Sequence, residues 1–239
     1  MIFLRSVLFN IFYFGSTALL VLPGLAVRLF APHKALGLAM FWARMELSAV
    51  RLICGVRLSV SGLEHLPKNG AALLASRHES AFDTMVWLTL LPGACYVLKA
   101  ELTRIPLFGG FVEPCGMISV ERDGGGAAMR QLMRDGKRAA AAGRQIVIFP
   151  EGTRGESGVL LTLHPGVAAL ASSTKLPIIP VVTDSGRHWG RRSFHKYPGT
   201  IHIRILPPLP QDLPRPALMA RLEQVLRDGL ADLGSGQPM

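Results

Sequence analysis

Cysteine is scarce in this 239-residue chain. Cys54, Cys95 and Cys115 are far apart and make neither a CxxC pair nor a zinc-ligand spacing. That argues against a disulfide framework or a zinc site, and the three thiols read as reduced, mostly buried apolar residues of a cytosolic compartment. Acidic residues are also few, 16 against 26 lysines and arginines, for a formal net charge of +10. Such a balance favours an anionic partner: membrane lipid, a phosphorylated substrate or nucleic acid. No Walker pattern occurs, so a nucleoside triphosphate site lacks support. No G-x-S-x-G elbow occurs either, and "GESGV" around Ser157 has the wrong spacing, so the chain supplies no activated serine of the hydrolase kind. Internal repeats and low-complexity blocks are absent as well.

What is present in excess is apolar residue. The composition is 49% hydrophobic and only 18% charged, above ordinary soluble usage. The segment from Val7 to Val27 carries no charge and is bracketed by Arg5 and Arg28, long enough to span a bilayer. A signal peptide fits less well, because the apolar core is too long and basic residues lie on both flanks. Asn10, Pro23 and Gly24 interrupt a straight span, and the amphipathic stretch that follows, 33–54, could lie with it in one leaflet. A span and a re-entrant anchor both remain open. In either case the basic residues downstream place the main domain on the cytoplasmic side of the cell inner membrane. The expected division is an anchoring helical segment, 1–54, and an α/β domain, 55–239.

Beyond Gly55 short apolar runs alternate with helical stretches. Strands are expected at 56–60, 71–75, 95–99, 117–120, 145–149, 177–182 and 201–206. Helices fit around 82–91, 125–142, 165–174 and 216–231. This alternation predicts an α/β fold with a mixed, largely parallel sheet flanked by helices. Pro177 and Pro180 in "LPIIPVV" predict an edge strand or a bulge, since proline donates no ladder hydrogen bond.

The chemistry-bearing residues fall just after these strands, where open α/β sheets place their sites. In "SRHESAFDT", His78 and Asp83 are five apart. On one helix they would not share a face, but His78 in the turn and Asp83 in the first helical turn can meet. The carboxylate would then fix the imidazole tautomer and leave the other nitrogen as a general base. Taken alone, the pair favours a helix-capping Asp beside a carbonyl-bound His. "FPEGTRGESG" after the strand at 145–149 presents backbone N–H groups beside Arg154, a combination suited to an oxyanion or phosphate, with Glu151 orienting the loop or the arginine. An ordinary turn with a surface ion pair fits the same residues. Lys99 and Arg122, each ending a short strand, add positive charge to the same pocket or simply decorate the surface.

Four blocks together are more specific than any one. "HESAFD", "GMISVER", "FPEGTR" and "LPIIPV", in this order across 60–182, resemble the PlsC-type 1-acylglycerol-3-phosphate acyltransferases of the lysophospholipid acyltransferase superfamily. The resemblance implies the glycerolipid acyltransferase fold and a membrane-bound N-terminal helical pair. It implies that His78 takes a proton from the sn-2 hydroxyl of lysophosphatidic acid as that oxygen attacks an acyl thioester, with Asp83 orienting the imidazole. Arg122, Glu151, Gly152, Thr153 and Arg154 map to the acceptor's phosphate site, with Lys99 a weaker addition. The donor implied is acyl-CoA or acyl carrier protein, with the membrane bilayer as partner and no metal or other bound cofactor. Arg77 departs from the pattern, standing where many members have a small or amide residue. "LHPG", 163–166, replaces a lysine-rich approach to that glycine. Two rival readings are the same transfer to another lyso-lipid, such as lyso-ornithine lipid, and a non-catalytic module for anionic lipid. Nucleic acid is not expected as a partner, since the basic run 186–199 reads more simply as a loop near headgroups or the donor's phosphates.

Overall fold

The structure is a computed structural model and describes residues 1–105, 108–121 and 124–235. Helices α1 (Ile2–Leu19), α2 (Val21–Phe30) and α3 (Ala35–Cys54) come first, and Gly55, left-handed at φ 71°, ends α3 and turns the chain into β1 (Val56–Ser61). A non-glycine residue there would be strained. The order continues β2 (Ala72–Ser76), α4 (Phe82–Leu90), β3 (Ala94–Lys99), α5 (Gly109–Val112), β4 (Ile118–Val120), α6 (Gly125–Ala141), β5 (Gln145–Ile148) and α7 (Gly166–Thr174). It closes with β6 (Ile178–Thr183), α8 (Ser185–His188), β7 (Gly199–Ile205) and α9 (Arg215–Ser235).

Among the described residues the strands form one sheet in the order β1-β7-β6-β2-β5-β3-β4. All neighbouring pairs are parallel except β6 with β7. The expected mixed, largely parallel sheet flanked by helices is therefore present. Both faces are covered, and the period of two along β2 divides its side chains between them. Ala72 and Leu74 face the layer of α3 and α4 with Val50, Val86 and Trp87. Leu73 and Ala75 face the layer of α6, α7 and α9 with Leu132, Leu170, Leu222 and Leu226. In α6 the buried positions Ala128, Leu132, Gly136 and Ala139 make one stripe, as the helical period requires.

The edge-strand alternative for "LPIIPVV" is overturned, since β6 lies inside the sheet between β7 and β2, while a one-residue slip beside Pro180, between the bonds of Leu206 N and Leu209 N, fits the bulge alternative. Pro180 is tolerated because its ring nitrogen faces the neighbour where that neighbour ends. The Pro180 carbonyl accepts from Leu206 N at 2.9 Å, one residue past β7, and the next bond on that side is Leu209 N to Ile178 O at 2.8 Å. Pro207 and Pro208 occupy the gap, so the bond that Pro180 cannot donate falls at the end of β7, where regular pairing stops.

Helix α1 lies against the sheet domain. Its Ser6 and Phe9 are fully buried, and Asn10 and Tyr13 continue the same stripe. The stripe meets the 189–197 loop: Lys196 N donates to Ser6 Oγ at 3.0 Å, Lys196 Nζ to Asn10 Oδ1 at 2.9 Å, and Phe9 packs edge-on to Trp189. Lys196 Nζ also sits over the Trp189 ring at 4.9 Å. The opposite side of the α1–α2 segment is bare and apolar, with Leu4, Leu8, Ile11, Phe14, Leu22, Leu29 and Phe30 exposed.

Candidate active site

Strands β2 and β5 are neighbours and parallel, with Ala75 opposite Ile148. Their carboxyl ends release the 77–81 turn and the 149–158 loop side by side, and Gly155 N donates to His78 O at 2.8 Å across them. The sheet thus brings His78, Asp83 and Arg154 together although 76 residues separate the first and last.

His78 lies in the turn and Asp83 in the first turn of α4, the arrangement the spacing predicts. Asp83 Oδ2 is 3.2 Å from His78 Nδ1 and also accepts from the backbone N–H of Glu79 at 2.7 Å and Ser80 at 2.8 Å. One oxygen therefore fastens the turn that leads into α4 and holds the imidazole; it does not cap the helix, because Ala81 is the N-cap and the two N–H groups it accepts from precede it, while its charge still lies in the helix's first turn. An ionised Asp83 places the ring proton on Nδ1 and the lone pair on Nε2. Phe149 stacks on the imidazole at a centroid distance of 4.1 Å and fixes its plane. His78 keeps 9% of its surface exposed.

Arg154 Nε–H donates to His78 Nε2 at 3.4 Å. The guanidinium is half-buried and has no carboxylate in ion-pair reach among the described residues. Gly152, at φ 66°, makes the tight turn back to Phe149 O, and Thr153 is half-buried beside it. Glu151 is buried, and it pairs with Arg77 rather than with Arg154: Arg77 Nη1 donates to Glu151 Oε2 at 2.9 Å. Lys99 is exposed at the end of β3, separated from β2 by β5. Arg122 lies outside the described residues.

Arg77 carries more structure than its sequence position announces. It is fully buried and ties both loops: Nη2 to Glu79 Oε1 at 2.8 Å and Nη1 to Val159 O at 2.7 Å, besides Glu151. Glu79 Oε2 in turn accepts from Gly186 N at 3.0 Å, and Glu151 Oε2 from Leu161 N at 3.0 Å. Burial pushes both carboxyls above their ordinary range, and the Arg77 guanidinium pulls them back. Sequence reasoning missed Glu79 and Phe149 as parts of the site. The available signal was an Arg-x-Glu pair flanking a histidine directly after a fully apolar strand, where a solvated ion pair has no room.

An imidazole oriented by a carboxylate, beside a cation with no carboxylate partner among the described residues, can activate a hydroxyl on an anionic substrate. Residues 57–184, more than half of the chain, match the family model described as "Acyltransferase". The chain is 30% identical over 227 residues to the 1-acyl-sn-glycerol-3-phosphate acyltransferase of Pseudomonas aeruginosa, covering 92% of this chain and 86% of that one. It is 28% identical over 171 residues to the human 1-acyl-sn-glycerol-3-phosphate acyltransferase alpha, covering 71% of this chain and 60% of the relative. The fold is similar to that of the 1-acyl-sn-glycerophosphate acyltransferase PlsC from Thermotoga maritima, with a TM-score of 0.79, 19% identity and full coverage of both chains. On the family match and the Pseudomonas relative, the chain belongs to the acyltransferase family and is an enzyme of that kind.

Proposed function

We propose that the enzyme transfers an acyl chain from a thioester, acyl-CoA or acyl carrier protein, to the sn-2 hydroxyl of lysophosphatidic acid, giving phosphatidic acid. The observation that carries this reading is the His78–Asp83 pair with the Arg154 guanidinium at the reactive nitrogen. His78 Nε2 accepts the hydroxyl proton as the oxygen attacks the thioester carbonyl. The C–O bond forms, the C–S bond breaks, and the imidazolium returns its proton to the departing thiolate. Asp83 holds the ring and stabilises its charged form. Arg154, with Gly152 and Thr153 in the same turn, receives the acceptor's phosphate, while Glu151 holds that turn through Arg77. The thioester is already activated and the acceptor brings the nucleophile, so the mechanism needs no metal or bound cofactor.

The acceptor is a membrane lipid, and the bare apolar side of α1 and α2 supports docking on the cytoplasmic leaflet of the inner membrane. Residues 2–30 have a mean hydropathy of 1.6, but the stretch turns at Leu20 and one face of α1 is occupied by the 189–197 loop. A helix of 18 residues with one face held by the loop at Ser6, Phe9 and Asn10 supports a monotopic anchor over a span. The reading is tested by crossing both donors with a panel of acceptors in vesicles. Lysophosphatidic acid is expected to be used at least tenfold better, an order of magnitude set by charged phosphate contacts, than monoacylglycerol or lyso-ornithine lipid. Equal rates on phosphate-free acceptors would refute it.

A further inference from the structure

The nitrogen that the reaction needs is covered. With Asp83 on Nδ1, the lone pair of His78 is on Nε2, and Arg154 Nε–H donates to it at 3.4 Å. Among the described residues that is the guanidinium's one hydrogen bond. The backbone beneath it is fixed by contrast. Arg154 O accepts from Arg191 Nη1 at 3.3 Å, Gly155 N is bonded to His78 O, and Glu151 is held by Arg77. The side chain can swing while its loop stays in place.

We infer that Arg154 masks the base in the resting enzyme and that the acceptor's phosphate monoester unmasks it. This rests on the proposed roles of His78 as base and Arg154 as phosphate ligand. The masking contact is longer than the usual span for an N–H donor and goes to a neutral acceptor. A phosphate offers two charged oxygens to the guanidinium fork, a stronger and more directional bond. Exchange therefore favours the phosphate, and the movement that binds it releases Nε2 beside the acceptor's own hydroxyl.

The consequence is protection of the donor. With Nε2 free and no acceptor bound, water can take the hydroxyl's place. Its oxygen bonds to the thioester carbon as the C–S bond breaks, its proton passes to Nε2 and then to the thiolate, and fatty acid and thiol are lost. Masking suppresses this hydrolysis until a phosphate arrives. It also makes phosphate recognition act on turnover, because a phosphate-free lyso-lipid leaves the base covered even when bound.

The test uses the full chain with decanoyl-N-acetylcysteamine, a thioester without phosphate, and methyl phosphate, a monoester without a hydroxyl. Thiol release by the wild type is expected to be slow and to rise on the order of tenfold with methyl phosphate, a fraction of a full general-base effect. Arg154→Ala should release thiol faster than the wild type and not respond to methyl phosphate; His78→Ala should be slow in both conditions. A second reading needs no variant: carbethoxylation of His78 by diethylpyrocarbonate, followed by peptide mass, should accelerate when methyl phosphate is present. A wild type unmoved by methyl phosphate in both readouts, or an Arg154→Ala baseline equal to the wild type, would overturn the inference. Failure of the underlying mechanism looks different, as phosphatidic acid synthesis that survives His78→Ala. Failure of masking alone leaves synthesis dependent on His78 with a flat response to methyl phosphate.

Discussion

Two carboxylates, Glu79 and Glu151, share one guanidinium at Arg77 in a site closed to solvent. The negative charge in excess is met by backbone N–H groups of Leu161 and Gly186, so the cluster fastens three separate segments around the histidine turn. Removing one partner of a buried ionic cluster leaves uncompensated charge, whereas neutralising all of it costs little. Arg77→Met is therefore expected to lose about 3–5 kcal/mol of stability. The triple variant Arg77→Met, Glu79→Gln, Glu151→Gln should recover much of it, as denaturant unfolding would record. A triple variant no more stable than Arg77→Met would contradict this. Local sequence offers only the Arg77-x-Glu79 half of the cluster, because Glu79 and Glu151 are 72 positions apart in the chain and meet only through the β2–β5 pairing. The His78–Asp83 contact was legible, since a strand end and a helix start five residues apart leave little freedom.

At the scale of elements, the seam between α1 and α3 holds a fully buried acid, Glu46, whose Oε1 accepts from Ser16 Oγ at 2.5 Å and whose Oε2 has no partner among the described residues. Burial pushes its carboxyl from 4.5 up to about 7, against the smaller downward pull of Ser16. The folded chain thus holds this proton more tightly than the unfolded one. Its stabilising contribution is full below the unfolded value and is lost as pH rises through about 7. Thermal unfolding of the wild type should show a stability loss of about 3 kcal/mol from this group between pH 4 and pH 8. Glu46→Gln should flatten that part of the profile; an unchanged profile would place the proton elsewhere. The middle of α1 is held by Lys196, whose Nζ donates to Asn10 Oδ1 and to the carbonyls of Ser193 and Phe194. Lys196→Met should speed amide hydrogen exchange in residues 2–19 at least tenfold, corresponding to the loss of about one charged hydrogen bond. Exchange unchanged from the wild type would mean that α1 is held by other contacts. Apolar runs and turn residues placed all seven strands within one or two residues. Of the two uses expected for the prolines of β6, the edge strand failed, because proline's missing donor matters only on the side where a neighbour continues, and β7 ends there.

For the whole molecule, the sheet order does the work of assembly. It sets the turn after β2 beside the loop after β5, and the same body presents one bare apolar side through α1 and α2. The apolar N-terminal segment was legible as membrane-seeking, but its docking was not. Contacts such as Lys196 to Asn10 join positions 186 residues apart, and no local pattern records them. An enzyme held by one leaflet should float with anionic vesicles and leave no segment accessible to protease from the far side. Protection of a fragment inside sealed vesicles would instead indicate a span. The account stands most directly on His78 as the base. The measurement is phosphatidic acid formation from acyl thioester and lysophosphatidic acid by wild-type and His78→Ala protein of matched unfolding temperature. The account predicts a loss of kcat of about 10² to 10⁴-fold with KM for the acceptor little changed. Turnover within a few-fold of the wild type would contradict it.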